Sequence, residues 1–328
     1  MRRLAPVRDD VPAVTVVIPA PPDLSEVVAV PAARALHWPA QKLEILLVRG
    51  RHPAVQRNQA LRQARGELIY FLDSDSIPPP DALQRAWRHF ADPAVQIVGG
   101  PSLCPPDAPA WEQVFAVVLA SALAFGPSRA RYARVGQVRT TSEKQLILCN
   151  LVARRQTLLD LGGFDELLYP NEENALMDLV QRRGGKLVYD PDLWVWRRPR
   201  HSVAAFARMV MTYGRGRAEQ FRRHPTPGST LNFVPPLFVV YLAAVPVLLA
   251  VGARAWSLLP LGLYGLAVGA QTVVSARRHG LVRSLQAAPL VVLTHIAYGL
   301  GFWRGFVGRL RWATTPPPTD VTIERIAI

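Results

Sequence analysis

The chain contains very little cysteine and lacks an apolar leader segment. Only Cys104 and Cys149 occur among 328 residues, and their spacing matches no metal site. This argues against a disulfide scaffold or a cysteine-based zinc site, and we interpret both thiols as reduced, space-filling side chains. No apolar segment follows Met1-Arg2-Arg3 as it would in a signal peptide. Roughly the first 230 residues are therefore expected to remain in the cytoplasm.

Charged residues are absent from three long stretches near the C-terminus. Residues 232–253, 255–276 and 284–303 contain no Asp, Glu, Lys or Arg, and only His295 among them could carry a charge. Each stretch has about 20 residues, which is enough to cross a bilayer as a helix. Core helices of soluble proteins seldom run this far without a charge. The sequence therefore predicts a multi-pass protein of the inner (cytoplasmic) membrane with about three transmembrane helices.

A net charge of +14 would suit nucleic-acid binding, but the arginines are placed differently. They cluster beside the uncharged stretches, at Arg215, Arg217, Arg222, Arg223, Arg277, Arg278 and Arg283. This placement favours contact with the anionic headgroups of a lipid bilayer, and no nucleic-acid partner is predicted. The side of the C-terminus is left open, because three crossings put Arg277 and Arg278 in the cytoplasm, as expected, but Arg309 and Arg311 outside.

The first 200 residues alternate between strand and helix patterns. Val14 to Pro19 and Leu43 to Val48 are typical of buried strands, and a polar helix over residues 53–65 precedes a third strand. Further strands are expected at residues 95–98 and 145–150, and further helices at residues 81–90, 156–161 and 171–184. This alternation predicts an α/β domain with a mostly parallel sheet and helices on both faces. Residues 111–125 are either a core helix or a helix lying against the membrane.

These patterns divide the chain into five parts. Residues 1–12 are a tail, residues 13–200 the α/β domain, residues 201–231 an amphipathic interfacial helix with a linker, residues 232–306 the transmembrane region, and residues 307–328 a C-terminal tail. The interfacial helix is predicted because Val203, Phe206, Val210 and Tyr213 fall at helical spacing. The tail around Pro316-Pro317-Pro318 is expected to be disordered.

Two carboxylates lie where the third strand must end. Asp73 and Asp75 directly follow the apolar run Leu68-Ile69-Tyr70-Phe71-Leu72. Carboxylates at the carboxyl end of a buried strand suit Mg²⁺ or Mn²⁺, which can in turn bind phosphates. The same residues could instead only turn the chain toward the next helix. Likewise, Glu172 and Glu173 could serve chemistry or only complement the positive end of a helix dipole.

Six motifs, taken in order, resemble glycosyltransferase family 2 over roughly residues 14–220. They are Val14 to Pro19, Arg57-Asn58-Gln59-Ala60 with Ala64-Arg65-Gly66-Glu67, Asp73-Ser74-Asp75, Gly99-Gly100-Pro101, Gly162-Gly163-Phe164-Asp165-Glu166 and Glu172-Glu173. The resemblance implies a GT-A (Rossmann-like) fold and an inverting transfer from a nucleotide-diphosphate sugar. It also implies that Mg²⁺ or Mn²⁺ binds through the Asp-x-Asp motif.

The resemblance also implies roles for single residues. Asp75 would ligate the metal that bridges the diphosphate, and Asp73 would contact the ribose and the metal shell. Glu173 would be the general base, with Glu172 as the alternative if the start of the helix shifts by one residue. Pro19 and Arg57 would belong to the same donor site.

Three basic residues beyond the motifs have two interpretations each. Arg215 and Arg217 could bind the donor's diphosphate or the anionic head of a lipid. His201 could complete a metal shell or be solvated in its basic loop.

Some positions depart from the family pattern. The second strand ends in Arg49-Gly50-Arg51, where the family usually has an Asp that reads the base, and Ala20-Pro21-Pro22-Asp23 replaces a Tyr-Asn type of turn. Ala175 and Leu179 stand where an acidic residue and an arginine are usual. The identity of the nucleotide and the sugar pocket is therefore not predicted.

The expected function is transfer of a sugar from a nucleotide donor to a membrane-held, polyprenyl-linked glycan acceptor in envelope or exopolysaccharide synthesis. Processive synthesis is not expected, because the Gln-x-x-Arg-Trp signature of such synthases is absent. Two alternatives are a polyprenyl-phosphate glycosyltransferase, whose acceptor needs no general base, and a non-catalytic membrane subunit that only binds nucleotide sugars.

Overall fold

The chain forms a sheet domain followed by four long helices, as seen in a computed structural model that describes residues 11–168, 170–223, 225, 231–252, 254–309 and 319–328. The strands are β1 (Val14–Ala20), β2 (Leu43–Arg49), β3 (Leu68–Leu72), β4 (Val95–Gly99), β5 (Ser102–Leu103), β6 (Arg139–Thr141), β7 (Asn150–Arg154), β8 (Lys186–Tyr189), β9 (Val195–Trp196) and β10 (Thr322–Ile326).

Eight strands make one mixed sheet in the order β10-β2-β1-β3-β7-β4-β8-β6, and β5 pairs with β9 beside it. The expected parallel core is confirmed, since β1 pairs in parallel with both β2 and β3, and β4 with β8. Strand β7 runs antiparallel between β3 and β4. Strand β1 continues through Pro19, which a proline allows here because pairing with β3 already ends at Val17.

Helices cover both faces of the sheet, as the sequence predicts. The helices of the sheet domain are α1 (Ala29–Arg34), α2 (Pro53–Gln63), α3 (Ala82–Trp87), α4 (Ala110–Leu119), α5 (Ala122–Phe125), α6 (Arg155–Asp160) and α7 (Glu172–Arg182). Alternate residues of β1 point to opposite faces, so that Val16 packs with α1 and α3 whereas Val17 packs with α2, α6 and α7. Both faces of the central strands are therefore buried.

The strand expected at residues 145–150 instead begins where that prediction ends, at Asn150. Asn150 is fully buried, accepts a hydrogen bond from the hydroxyl of Tyr70 (3.0 Å) and donates one to the carbonyl of Leu193 (2.7 Å). Leu146 and Leu148 are buried in the preceding turn. A continuous apolar run does not reveal which of its halves is extended.

Four long helices follow the sheet domain: α8 (Val203–Arg223), α9 (Val234–Ala250), α10 (Arg254–His279) and α11 (Leu281–Val307). Within the described residues, three candidate spans, namely α9 extended to Leu231, α10 from Trp256 onward and α11, are long and apolar enough to cross a membrane. The segments Ala110–Leu119 and Ala122–Arg131, bent by 58°, meet the same test when taken together. The stretch expected at residues 111–125 is therefore a broken helix.

Helix α11 differs from α9 and α10 in its burial. About half of its most apolar window is buried, against 6% for each of the other two. It packs closely along α8, where a Cβ on Gly301 would lie 2.0 Å from the carbonyl oxygen of Met211 and one on Gly305 would lie 2.4 Å from that of Arg215. Arg222 donates to the carbonyls of Gly305 (3.0 Å) and Gly308 (2.6 Å) at the end of α11. Helix α11 is therefore joined to the helix that adjoins the sheet domain.

The C-terminus returns to the sheet domain. Strand β10 pairs antiparallel with β2 over five residues, from Thr322 opposite Arg49 to Ile326 opposite Ile45. The carboxylate of Glu324 lies 2.7 Å from Nε of Arg49. The end of the chain is thus an edge strand of the central sheet, whereas Pro316-Pro317-Pro318 lies outside the described residues.

Candidate active site

The site lies where β3 ends. Asp73 is the residue directly after β3, and the amide of Ser76 donates to its carbonyl oxygen (3.0 Å) in a tight turn. The turn interpretation is therefore correct as far as it goes. It also directs Asp73 and Asp75 into a set of charged side chains from three other elements.

Two arginines connect the acidic residues of the site. Arg57 on α2 donates from Nη1 to Glu172 (2.9 Å), and its Nη2 lies 3.4 Å from Oδ1 of Asp73. Arg197, just after β9, lies 3.1 Å from Oδ2 of Asp73 through Nη2 and 2.7 Å from Oδ1 of Asp75 through Nε. These contacts form a continuous chain, Asp75-Arg197-Asp73-Arg57-Glu172, which we call the carboxylate–arginine chain. The Asp-x-Asp motif and the start of α7 are thereby parts of one site.

Exposure changes along this chain. The side chains of Glu172 and Arg57 are 3% and 7% exposed, whereas that of Asp75 is 50% exposed. The Glu172 end of the carboxylate–arginine chain is therefore buried in the protein, and the Asp75 end faces solvent. A ligand that reaches Asp75 from solvent would contact Arg197 before it contacted the buried pair.

Burial raises the pKa of Glu172 strongly. Desolvation, together with the neighbouring charge of Glu173, raises the pKa of Glu172 to about 8, against the opposing effect of Arg57. Its Oε2 has no hydrogen-bond partner among the described residues, and the same is true of Nδ2 of Asn171. Buried polar atoms without partners are uncommon and mark places where a ligand or water can bind.

The start of α7 has an unusual backbone. Asn171 has φ of 89°, the left-handed region, and among the described residues other than glycine it is the only one with positive φ. Its Oδ1 accepts from Asn174 (2.8 Å), and Asn174 also donates to Glu173 (3.2 Å). Glu173 is partly exposed, next to the buried Glu172. Strained backbone of this kind concentrates at functional sites.

Asn58 explains why the Arg-Asn and Gly-Gly-Phe-Asp-Glu motifs occur together. Its Oδ1 accepts from the amide of Phe164 (2.8 Å), and its Nδ2 donates to the carbonyl of Phe164 (2.8 Å) and to Glu166 (2.8 Å). Gly163 has φ of 79°, and a Cβ there would lie 2.4 Å from Oδ1 of Asn58. This contact fixes α2, and with it Arg57, against the loop that leads to α7.

A cleft adjoins the exposed end of the carboxylate–arginine chain. Asp75 and Arg197 lie on one side of it, and Leu119 of α4 and Met209 of α8 form an apolar wall. Tyr132 also lines the cleft, and its hydroxyl lies 3.4 Å from that of Tyr213. Helices α4 and α8 share an apolar cluster with α11, in which the rings of Phe115 and Phe206 stack at 4.9 Å. The cleft therefore leads from the carboxylates toward the apolar helices.

The family model described as Glycosyl transferase family 2 matches residues 34–146. Over this third of the chain, the sequence is similar to the family. The match includes α2, the Asp-x-Asp turn and Gly99-Gly100-Pro101, whereas the motifs at Val14 to Pro19, Gly162 to Glu166 and Glu172-Glu173 lie outside it.

Two curated relatives, in strains CDC 1551 / Oshkosh and H37Rv of Mycobacterium tuberculosis, are named pre-mycofactocin glycosyltransferase. Each is 26% identical over 260 residues, which cover 76% of this chain and 49% of the relative. The chain thus spans about half the length of these relatives. Among solved structures, a mannosyltransferase from Pyrobaculum calidifontis in complex with GDP-Man and Mn²⁺ is 20% identical, with a TM-score of 0.53 over 90% of this chain and 89% of that one. This similarity confirms the GT-A fold predicted from the motifs.

The other candidate residues from the sequence lie in different elements of the structure. Pro19 lies inside β1. Arg215 pairs with Glu219 (3.5 Å), and Arg217 contacts Gln220 (3.0 Å) and the hydroxyl of Tyr298 on α11. These contacts place Arg217 between α8 and α11, so a role for Arg215 or Arg217 at the diphosphate stays a prediction. His201 is exposed before α8, and within the described ranges no three His, Cys, Asp or Glu side chains form a metal-binding group.

Arg197 is the site residue that sequence reasoning missed. It stands in the basic run Arg197-Arg198-Pro199-Arg200, so a signal was present. The sequence could not tell which arginine turns toward the aspartates. In the structure Arg198 instead binds Glu112 of α4, to which its Nε and Nη2 donate at 2.7 and 2.6 Å.

Proposed function

We propose that this protein is an inverting glycosyltransferase that moves a sugar from a nucleotide-diphosphate sugar to a polyprenyl-linked glycan in the membrane, in envelope or exopolysaccharide synthesis. The observation that carries this proposal is the carboxylate–arginine chain, which brings the Asp-x-Asp motif and the glutamates of α7 together beside a cleft that leads to apolar helices. The match to the family model and the GDP-Man and Mn²⁺ complex of the Pyrobaculum calidifontis structure support the donor and the metal.

Asp73 and Asp75 fit a divalent cation. Mg²⁺ and Mn²⁺ in nucleotide sites are commonly held by one or two carboxylates together with phosphate oxygens, and Asp75 is open to solvent on the side from which a diphosphate would arrive. When bound, the cation would neutralise the negative charge that develops on the leaving diphosphate.

We assign the removal of the acceptor's proton to Glu173. As general base it takes the proton of the acceptor hydroxyl while that oxygen forms a bond to the anomeric carbon. The bond between the anomeric carbon and the diphosphate oxygen breaks with its electron pair on the diphosphate, so the configuration inverts without a covalent intermediate. Glu172 is too enclosed for this role and is hydrogen-bonded to Arg57, so we assign it the positioning of Arg57 and of the start of α7.

The base is tested by comparing Glu173→Gln with Glu172→Gln in detergent-purified full chain. Donor binding is first found by a thermal-shift screen of GDP- and UDP-sugars with Mn²⁺, since a bound donor raises the melting temperature. We expect Glu173→Gln to keep the donor's thermal shift but to lose transfer to a hydroxyl acceptor by about 10²- to 10⁴-fold. Loss of the thermal shift, or unchanged transfer, would contradict the assignment.

A second candidate function is transfer to a polyprenyl phosphate. Arg200 lines the same cleft beside its apolar wall, where it would bind the phosphate of a lipid acceptor. A phosphate acceptor needs no general base, so Glu173→Gln would then retain most of its activity with polyprenyl phosphate. The same pair of variants therefore distinguishes the two acceptors.

The catalytic domain and the C-terminus are proposed to lie on the same, cytoplasmic side of the membrane. Strand β10 belongs to the catalytic sheet, so the chain must cross an even number of times between β9 and β10. Helices α9 and α10 expose their apolar surfaces, whereas α11 packs on α8. We infer that α9 and α10 cross and that α11 stays on the catalytic side. This places Arg277, Arg278 and Arg309 together in the cytoplasm, in agreement with the positive-inside rule.

The crossing number can be measured by labelling single cysteines in sealed vesicles of known orientation. Gly252→Cys, between α9 and α10, and a cysteine added after Ile328 are compared in a chain whose two native cysteines are serine. We expect an impermeant maleimide to reach the two positions from opposite sides. Labelling of both from one side would refute two crossings.

A further inference from the structure

Arg197 holds both carboxylates of the Asp-x-Asp motif at once. Its Nη2 lies 3.1 Å from Oδ2 of Asp73 and its Nε 2.7 Å from Oδ1 of Asp75. A planar guanidinium can engage two carboxylates in this way because its donors form a rigid fork. Arg197 thus occupies two of the four carboxylate oxygens that the motif would offer to a divalent cation.

The backbone around Arg197 keeps it at this position. Trp196 and Ile77 exchange two backbone hydrogen bonds of 2.9 Å, and the amide of Arg197 donates to the carbonyl of Leu103 (2.9 Å). Ile77 is two residues after Asp75. Strand β9, which Arg197 directly follows, is therefore hydrogen-bonded to the segment next to the turn that contains the aspartates. These backbone hydrogen bonds therefore place Arg197 next to the Asp-x-Asp motif.

Arg197 and Arg57 differ in their freedom to move. Arg57 is 7% exposed and is also bound to the buried Glu172. Arg197 is 24% exposed and lines the cleft. Of the two cations, Arg197 is the one that can turn toward a ligand in the cleft without breaking a buried ion pair.

We propose that Arg197 is an internal counter-ion of the Asp-x-Asp motif that competes with the divalent cation and is released onto the diphosphate when the donor binds. This inference rests on the proposed function. A guanidinium and a divalent cation at the same two carboxylates repel each other, since both are positively charged. The diphosphate supplies the negative charge that Arg197 loses on leaving the aspartates. Cation binding should therefore depend strongly on the nucleoside diphosphate.

The experiment measures Mn²⁺ binding by the electron paramagnetic resonance of unbound Mn²⁺, with the detergent-purified full chain. Binding is measured with Mn²⁺ alone and with Mn²⁺ plus saturating GDP or UDP. The variants are Arg197→Gln, which removes the charge, Arg197→Lys, which keeps the charge but lacks the planar fork of the guanidinium, and Arg198→Gln. The last removes the same charge one residue away, where the guanidinium binds Glu112 instead.

We expect GDP or UDP to strengthen Mn²⁺ binding by the unchanged protein by about tenfold or more. Arg197→Gln should bind Mn²⁺ alone about 10- to 100-fold more tightly than the unchanged protein and lose most of the dependence on GDP or UDP. Arg197→Lys should fall between the two, and Arg198→Gln should stay within about threefold of the unchanged protein.

Several results would overturn the proposal. One is Mn²⁺ binding by the unchanged protein that is the same with and without GDP or UDP, a measurement that needs no variant to fold. Another is Arg197→Gln or Arg197→Lys, shown to be folded by thermal unfolding, with unaltered Mn²⁺ affinity. If neither Mn²⁺ nor a nucleoside diphosphate binds any form of the protein, the proposed function fails as well. Metal binding that ignores Arg197 but is lost in Asp75→Asn would refute only the competition.

Discussion

Replacing Glu172 by glutamine should stabilise the protein relative to the unchanged chain. This stabilisation should be larger at high pH than at low pH. Glu172 is 3% exposed, and its pKa rises from the ordinary 4.5 to about 8 in the folded protein. The folded chain therefore binds this proton more tightly than the unfolded chain does. Stability from Glu172 is fully present below about pH 4.5 and is lost as the pH rises through about 8.

The size of the effect follows from the same shift. One unit of pKa difference corresponds to about 1.4 kcal/mol, so the whole shift sets a ceiling of about 5 kcal/mol above pH 8. Relaxation of the site and entry of water reduce this, and we expect about 1–3 kcal/mol. For a protein of 328 residues, that corresponds to roughly 1–4 °C in melting temperature. Glutamine keeps the acceptor for Arg57 and carries no charge, so Glu172→Gln should lack this pH dependence.

The assay is thermal unfolding followed by tryptophan fluorescence at pH 5, 7 and 9. The difference in melting temperature, Glu172→Gln minus unchanged chain, should grow with pH over this range. Asp178→Asn is the matched control, because Asp178 lies on the same helix and pairs with Arg182 at the surface (2.8 Å). A difference that is constant with pH, or largest at pH 5, would refute the reasoning.

Three further outcomes are expected. Gly301→Ala should lower the melting temperature, because the new Cβ would lie 2.0 Å from the carbonyl of Met211, whereas Gly262→Ala, with open space around its Cβ, should not. Glu324→Ala should cost no more than about 1 kcal/mol, since Glu324 and its partner Arg49 are both partly exposed, but deletion of residues 320–328 should cost several times as much, because all of β10 is lost. Asn58→Ala should cost about 1–3 kcal/mol and make the loop at Gly163 more sensitive to protease, because three hydrogen bonds are lost, two of them buried.

The central strands and the long helices were predictable from the sequence because they depend on local apolar pattern. Strands β1 to β4 follow continuous apolar runs, and helices α9 to α11 follow stretches without charge. The Asp-x-Asp turn was also predictable, since two carboxylates come directly after a strand. These features need only neighbouring residues to identify them.

Contacts between distant residues were not predictable in this way. No local pattern reveals that Arg197 is the arginine that meets Asp73, 124 positions away, or that Thr322 pairs beside Arg49. A short edge strand such as β10 has little apolar periodicity, because one of its edges and much of its surface stay exposed. The prediction of a C-terminal tail over residues 307–328 therefore missed a strand that lies in the central sheet.

The sequence by itself determined the resemblance to the family, the parallel core of the sheet and three apolar helices, since motif residues and hydrophobic runs are properties of neighbours along the chain. Only the tertiary structure decided that Arg57 and Arg197 join the carboxylates into one site, that Glu172 is buried beside Glu173, and that the C-terminus returns to the sheet. Each of these depends on which distant surfaces pack together, and the energy of a buried charge is set by that packing rather than by its neighbours in sequence.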